Sequence, residues 1–320
     1  MRRVLVLGGN RWLGARIAAL LVAAGDDVTC LAREPTALVP AGARLIRADR
    51  TRPDAYADAS GDWDEVVELA YARDVVGSAL AALRDRAAHW TLISSVSVYA
   101  RNDEVGADEA AALVPPVEPD EYAQAKVAAE QASAGALGER LLIVRPGLIA
   151  GPGDPSDRFG YWPARLLHGG QVLVPVTEGR YVQIIDVDDL AAFVVHAGRH
   201  RVGGVINAVG DPVPFADLLD LIAAATGFSG RLMPATDDWL VGHDVRFWMG
   251  ERSLPLWLPA AAAGFARRSN AAYRAAGGGL SPIEQTIART LLFERELGID
   301  RPRRSGLSPN DEAELLRLLR

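Results

Sequence analysis

The chain of 320 residues has one cysteine, Cys30, and one lysine, Lys126. A single thiol excludes an intramolecular disulfide and any metal site built on cysteines. No basic block occurs, and 41 acidic side chains against 34 basic ones leave a net charge of −7. Phosphate backbones need clustered Lys and Arg, so a nucleic-acid partner is not expected. Long apolar runs are missing too. The stretch after Met1-Arg2-Arg3 stops at Gly8-Gly9-Asn10-Arg11, too short for a signal peptide or a membrane span. The expectation is a cytoplasmic protein with no membrane partner. What is present is ordinary: 49% apolar and 23% charged residues exclude a disordered chain. The length suits one large domain or two interlocked ones.

The basic residues are 33 arginines and Lys126, a bias that genome base composition produces when arginine replaces lysine wherever either serves. The surviving lysine marks a place where arginine does not serve, unless it is a coincidence; its neighbours have to decide.

Val4 to Leu7 is an apolar run that reads as a buried parallel strand. A glycine-rich turn follows, then apolar residues at helical spacing from Trp12 to Ala24, closed by Gly25. Val28–Ala32, Arg44–Ala48, Glu65–Ala70, Trp90–Ser95 and Leu141–Val144 read as further strands. Val75–Leu83 and Tyr122–Ala134 read as helices, the latter stopping at Gly135. This alternation predicts an α/β fold with a doubly wound parallel Rossmann sheet and a smaller, mostly C-terminal substrate lobe. Residues 1–150 form the dinucleotide domain. Residues 186–208, a helix over Leu190–Ala197 and a strand over Val205–Ala208, return to it; 151–185 and 209–320 form the lobe. Ser281-Pro282-Ile283-Glu284 and Ser308-Pro309-Asn310-Asp311 each predict a helix start, with Ser as N-cap and Pro at the first position.

The turn Gly8-Gly9-Asn10-Arg11-Trp12-Leu13-Gly14 lies between the first strand and the first helix. Glycine there lets the backbone approach a pyrophosphate, and the helix N-terminus offers free N–H groups and partial positive charge. Arg11 stands where a middle glycine is expected, and a Gly-Gly turn alone is often only a turn. At the end of the second strand, an acid would bond the 2′-hydroxyl of NAD, whereas an arginine accommodates the 2′-phosphate of NADP. Here Arg33 occupies that end. With Arg11 it can grip a phosphate, which favours NADP and leaves NAD open. The plainer alternative is two solvated arginines.

Lys126 closes Tyr122-Ala123-Gln124-Ala125-Lys126. Four residues are slightly more than one helical turn, so both side chains share a face. A nearby ammonium lowers a tyrosine pKa, and such a phenol can exchange a proton with a carbonyl or alcohol. A surface pair is the plainer alternative, but it does not explain why the only lysine is this one. Ile93-Ser94-Ser95-Val96-Ser97-Val98-Tyr99 ends the fifth strand, where open α/β sheets bind ligands. A Ser hydroxyl there can hold a substrate oxygen beside the tyrosine, although Ser-rich strand ends are also common as turns.

The order of these motifs, followed by Arg145-Pro146-Gly147 and Gly151-Pro152-Gly153-Asp154, resembles the extended or atypical short-chain dehydrogenase/reductases, the NAD-dependent epimerase/dehydratase group. The resemblance covers roughly residues 1–210. It implies Ser95, Tyr122 and Lys126 as the catalytic set, with Lys126 also bonding the nicotinamide ribose. It further places Pro146, Gly147 and Leu148 near the nicotinamide, Asp49 near the adenine, and Leu69 and Ala70 along the cofactor groove. Two departures bear on the reaction. Sugar-nucleotide dehydratases of the group carry an Asp-Glu pair where Val96 and Ser97 stand, so dehydration is not expected. Nucleotide-sugar epimerases carry an Asn that donates to the pyrophosphate where Leu148 stands, so UDP-, GDP- and dTDP-sugars are not expected as substrates.

His196 and His200, four apart, suit a metal pair but lack a third ligand nearby; a solvated helix end is the better reading, and no metal is expected. Arg158, Tyr161, Trp162 and Arg165, with Ser97, are the tentative substrate residues, offering an apolar wall and an anion or carbonyl anchor. Core packing explains any single Trp equally well. The expected activity is hydride transfer between a nicotinamide and a small carbonyl or alcohol. An epimerase on a retained cofactor and a dinucleotide sensor without turnover are the alternatives; the intact Ser/Tyr/Lys set argues against the sensor. A small-molecule substrate is the expected partner, and a homodimer is left open.

Overall fold

The computed structural model describes residues 1–33, 39–118 and 121–319. In the first half, strands β1 (Arg3–Leu7), β2 (Asp27–Ala32), β3 (Arg44–Arg47), β4 (Glu65–Glu68), β5 (Trp90–Ile93) and β6 (Leu141–Pro146) alternate with helices α1 (Trp12–Ala23), α2 (Arg73–Leu83) and α3 (Tyr122–Leu137). Then come β7 (Leu148–Ala150), α4 (Arg158–Leu167), β8 (Gln171–Pro175), β9 (Tyr181–Val182), β10 (Ile184–Asp186), α5 (Val187–His200), β11 (Gly204–Ala208) and β12 (Val213–Pro214). The chain ends with α6 (Phe215–Thr226), β13 (Arg231–Ala235), α7 (Asp237–Gly242), β14 (Arg246–Trp248), β15 (Ser253–Pro255), α8 (Ala271–Ala275), α9 (Ile283–Leu297) and α10 (Pro309–Leu318).

Seven strands form one parallel sheet in the order β11-β6-β5-β4-β1-β2-β3. The expected doubly wound α/β fold is therefore present, with β11 added beside β6. Strand β1 is apolar throughout because both its faces are covered. Val4 and Val6 enter the core shared with α1 and α5, while Leu5 and Leu7 enter the core shared with α2 and α3. The order reverses between β1 and β4, and that switch point is where open α/β sheets leave a crevice at their carboxyl ends. The glycine turn follows β1, so it lies at this crevice.

Two buried acids interrupt the apolar reading of β4. Glu65 is held by Arg2 at 2.8 Å and by the Thr91 hydroxyl at 2.9 Å. Glu68 forms a two-pronged ion pair with Arg50. Carboxylates buried without such partners would be strongly destabilising.

The second lobe has its own core, built around Trp162, Phe159, Phe215, Trp257 and Ile287. Helices α4, α6 and α9 surround it, and β8 with β13 and β7 with β10 form small parallel pairs. Among the described residues no helix is long and apolar enough to cross a membrane.

Two boundaries differ from the sequence reading. Helix α3 continues through Gly135 and stops at Gly138, whose φ of +56° ends the helix; nothing crowds Gly135, so it is tolerated inside. Helix α9 begins at Ile283 with Pro282, not Ser281, in the cap position. The Ser281 hydroxyl instead donates to Asp189 at 2.7 Å. Ser308, by contrast, caps α10 as expected, accepting from the Asp311 N–H at 3.1 Å.

Candidate active site

Gly8 has a φ of +97°, a region that glycine enters without a Cβ penalty. A Cβ on Gly14 would sit 2.4 Å from the Gly8 carbonyl oxygen, and one on Gly9 would sit 2.5 Å from Cys30 Sγ. The turn can therefore close this tightly only with glycine at both places. Arg11 holds the N-cap position of α1 without capping it through its own side chain, and no acid stands in the first turn. A helix N-terminus behind a glycine cradle fits the pyrophosphate of a dinucleotide.

The other expected cofactor positions are distributed as follows. Asn10 is buried and Arg11 is exposed. Leu69 faces Gly8, with its Cβ 3.6 Å from where a Gly8 Cβ would be. The Ala70 N–H donates to Glu68 Oε1 at 2.8 Å. Arg33 is exposed at the end of β2. Asp49 lies close enough to Arg33 to feel its charge, but its carboxylate chiefly accepts the N–H and hydroxyl of Thr51, which lower its pKa. Pro146 ends β6, and Gly147 follows with Val209 against it.

Three of the expected cofactor positions turn their side chains elsewhere. Leu13 and Leu148 bury their side chains in the two cores, which leaves only their backbone to a cofactor. Trp12 turns away to the loop after β7. Its Nε1–H donates to the Pro152 carbonyl at 2.8 Å, and its ring packs on Gly153 so closely that a Cβ there would meet it at 3.0 Å.

Tyr122 opens α3 and Lys126 follows one turn later. The tyrosine is 44% exposed and the lysine 4%. Lys126 Nζ donates to the Ile93 carbonyl at 2.6 Å and sits 4.9 Å from the Tyr71 ring centroid and 5.9 Å from that of Tyr122. Burial pushes its pKa down to about 8, against the pull of Glu68 and Glu130. The Tyr122 pKa moves opposite to expectation. Burial of its hydroxyl raises it; Ser95 and Arg158 pull it down and Tyr71 adds to the rise. The lowering cation beside the phenol is Arg158, because Lys126 directs its ammonium to the Ile93 carbonyl.

Ser95 begins a short turn over Val96–Val98; its Oγ accepts the Ser97 N–H and donates to Ser97 Oγ, both at 3.1 Å. Ser94 is spent on Glu130, which also forms a two-pronged ion pair with Arg145. Two residues of this constellation escaped the sequence reading. Tyr71 packs edge-on against Tyr122 at 5.1 Å, and Glu130 stands one turn beyond Lys126. Glu130 carried a signal, a lone acid in an alanine-rich helix; Tyr71 is brought in from the segment between β4 and α2 by the fold.

The tentative substrate residues separate. Ser97 and Arg158 stay at the site. Tyr161 and Trp162 are corrected: they are 2% and 0% exposed in the lobe core, and the Trp162 Nε1–H donates to the Pro255 carbonyl at 2.8 Å. Arg165 is likewise corrected, since Glu312 and the Gly169 and Gln171 carbonyls hold its guanidinium. Tyr161 and Arg165 border a separate hollow of about 930 Å³ between α4 and the C-terminal segment. His196 and His200 stack at 4.2 Å, and among the described residues no group of three or more His, Cys, Asp or Glu is placed to hold a metal.

Residues 75–209 match the model of the NAD dependent epimerase/dehydratase family. The 2′-dehydrokanamycin reductase of Streptomyces kanamyceticus is 27% identical over 252 residues, 74% of this chain and 70% of that protein. The structure of UDP-N-acetylglucosamine 4-epimerase from Bacillus cereus superposes with a TM-score of 0.71 at 16% identity, covering 94% of this chain and 99% of that one. RMD from Pseudomonas aeruginosa, complexed with NADPH, gives 0.65 at 20% identity, covering 93% and 100%. At these identities the structural matches speak for the fold alone.

Proposed function

We propose that this protein is an NADP-dependent reductase of a small carbonyl compound, a reading supported by the match of residues 75–209 to the NAD dependent epimerase/dehydratase family. When bound at the glycine cradle, the cofactor supplies hydride. Tyr122 delivers the proton to the carbonyl oxygen, Ser95 aligns that oxygen, and Lys126 supports the developing charge. The observation that carries this reading is the placement of Tyr122: it opens α3 one turn before the buried Lys126 and beside Ser95, which follows β5. A phenol is a protonated donor at neutral pH, as a reductase requires. The similarity to a reductase supports it. Epimerases share the fold, but the position of their phosphate-binding Asn is filled by Leu148, whose side chain is buried in the lobe core. The Leu148 side chain cannot donate to a pyrophosphate oxygen, a loss of about 1–3 kcal/mol against Asn. Nucleotide sugars are therefore not expected to turn over.

NADPH consumption across a panel of carbonyl compounds tests the proposal. Tyr122→Phe should lower turnover by about 10²–10⁴-fold and leave cofactor affinity intact. Arg33→Asp should reverse the preference for NADPH over NADH. Near-normal turnover in Tyr122→Phe would refute the proton donor, and equal affinities for NADPH and NADH in the wild type would refute the NADP assignment.

A further inference from the structure

Several arginines of the second lobe are tied to carboxylates. Arg165 holds Glu312, Arg180 holds Asp237, Arg252 holds Asp311, and Arg301 and Arg303 share Asp157 and Glu294. Arg158 is different. It is half-buried at the start of α4, and among the described residues no carboxylate lies within ion-pair distance. Its Nε donates to Ser156 Oγ at 3.0 Å, and its guanidinium carbon lies 5.1 Å from the Trp248 ring centroid. Asp154, the acid whose charge it feels, gives both oxygens to the N–H and hydroxyl of Ser156. The two terminal nitrogens of Arg158 make no hydrogen bond among the described residues. A guanidinium fork presents donors matched to a planar oxyanion, and here the fork is unfilled.

Its position links it to the reacting group. The loop that leads into α4 is latched over the start of α1 by the Trp12–Pro152 hydrogen bond, and Arg158 and Tyr122 lie close enough for each to feel the other's charge. Trp248 supplies an independent sign. It has a φ of +72°, a left-handed backbone that a bulky residue adopts only under constraint and that clusters at ligand sites. Asp244, Arg252 and Leu256 around it are also left-handed. The Trp248 ring is half-buried and packs edge-on against Phe265 at 5.3 Å.

We propose that Arg158 and Trp248 together anchor the substrate, Arg158 taking an oxyanion carried next to the reducible carbonyl and Trp248 holding a flat apolar body. The substrate class is then the planar or aromatic oxo acids. This rests on the reductase reading. The carbonyl carbon gains the hydride of NADPH, its oxygen gains the Tyr122 proton, the products are a hydroxy acid and NADP⁺, and the anionic group is untouched. Carboxylate and phosphonate share the recognition chemistry.

Benzoylformate, its methyl ester and benzoylphosphonate separate these cases. Wild type should reduce the carboxylate at least tenfold better than the ester, by kcat/KM, and the phosphonate arm tells which anion is preferred. Arg158→Gln should raise KM for the acid at least tenfold more than KM for the ester, and leave NADPH affinity unchanged. Arg158→Lys keeps the charge but not the fork and should restore only part of the loss; it serves where Arg158→Gln does not fold. A second arm needs no turnover: benzoate should bind the NADP⁺-loaded Tyr122→Phe protein at least tenfold more tightly than benzamide. Adding Arg158→Gln or Arg158→Lys should shrink that gap. Equal reduction of acid and ester, or equal binding of benzoate and benzamide, overturns the anchor. Turnover that survives Tyr122→Phe instead sinks Tyr122 as the proton donor, absence of NADPH-dependent turnover of any carbonyl compound sinks the reductase reading, and in either case the binding arm still decides on Arg158.

Discussion

Lys126 shows what one residue discloses about a site. Its rarity and its four-residue spacing from Tyr122 made the pair legible, because both properties live on one stretch of chain. The direction of the Tyr122 pKa was not legible, since it depends on hydroxyl burial and on Arg158, more than thirty residues away. Tyr161, Trp162 and Arg165 were misread for a related reason. Residue type says that an aromatic or an arginine is there, but not whether it faces the core or the groove. The burial of Lys126 has a measurable consequence. Its pKa is about 8 in the fold against 10.5 ordinarily, so between those values the unfolded chain binds more protons and stability rises with pH. Below about pH 8 the fold bears the whole cost of the buried ammonium. Urea midpoints of wild type and Lys126→Met, followed from pH 7 to 10.5, should show the wild type gaining on the variant as pH rises. A gap independent of pH would contradict the assignment.

At the level of elements, the glycine turn was read correctly in place because its constraint is steric and local. Helix ends were read less well. The same Ser-Pro-x-acid pattern caps α10 but not α9, where Asp189 from α5 draws the Ser281 hydroxyl away. A pattern that offers a side chain to one partner cannot say whether a distant residue will claim it. The turn yields a sharper expectation. A Cβ on Gly14 meets a backbone oxygen at 2.4 Å, and a backbone atom cannot swing aside as a side chain can. Gly14→Ala should therefore shift the turn and weaken NADPH binding more than tenfold while the far-ultraviolet dichroism stays native. Calorimetric titration checks this; an unchanged affinity would show that the turn opens at little cost.

On the scale of the whole molecule, strand alternation made the parallel sheet legible, since strands buried on both faces are apolar throughout. The second lobe was legible only as a looser remainder. Its strands are two to five residues long, too short for a period to register, and its core is assembled from α4, α6, α9 and scattered tryptophans.

The single lysine also gives the protein one address for a protease that cuts only after lysine. That address, the Lys126–Val127 bond, lies inside α3 with both side chains buried. Such an enzyme cannot act on the native surface; it waits for α3 to leave its place against β5 and β6. Cleavage into residues 1–126 and 127–320 should thus follow opening of the half built on the parallel sheet, not the fraying of loops or termini. A cofactor that binds only the closed form should slow this cut by the factor 1 + [NADPH]/Kd. Fragment appearance on a gel then reads cofactor affinity without a substrate, and a cut insensitive to saturating NADPH would place the cofactor away from α3.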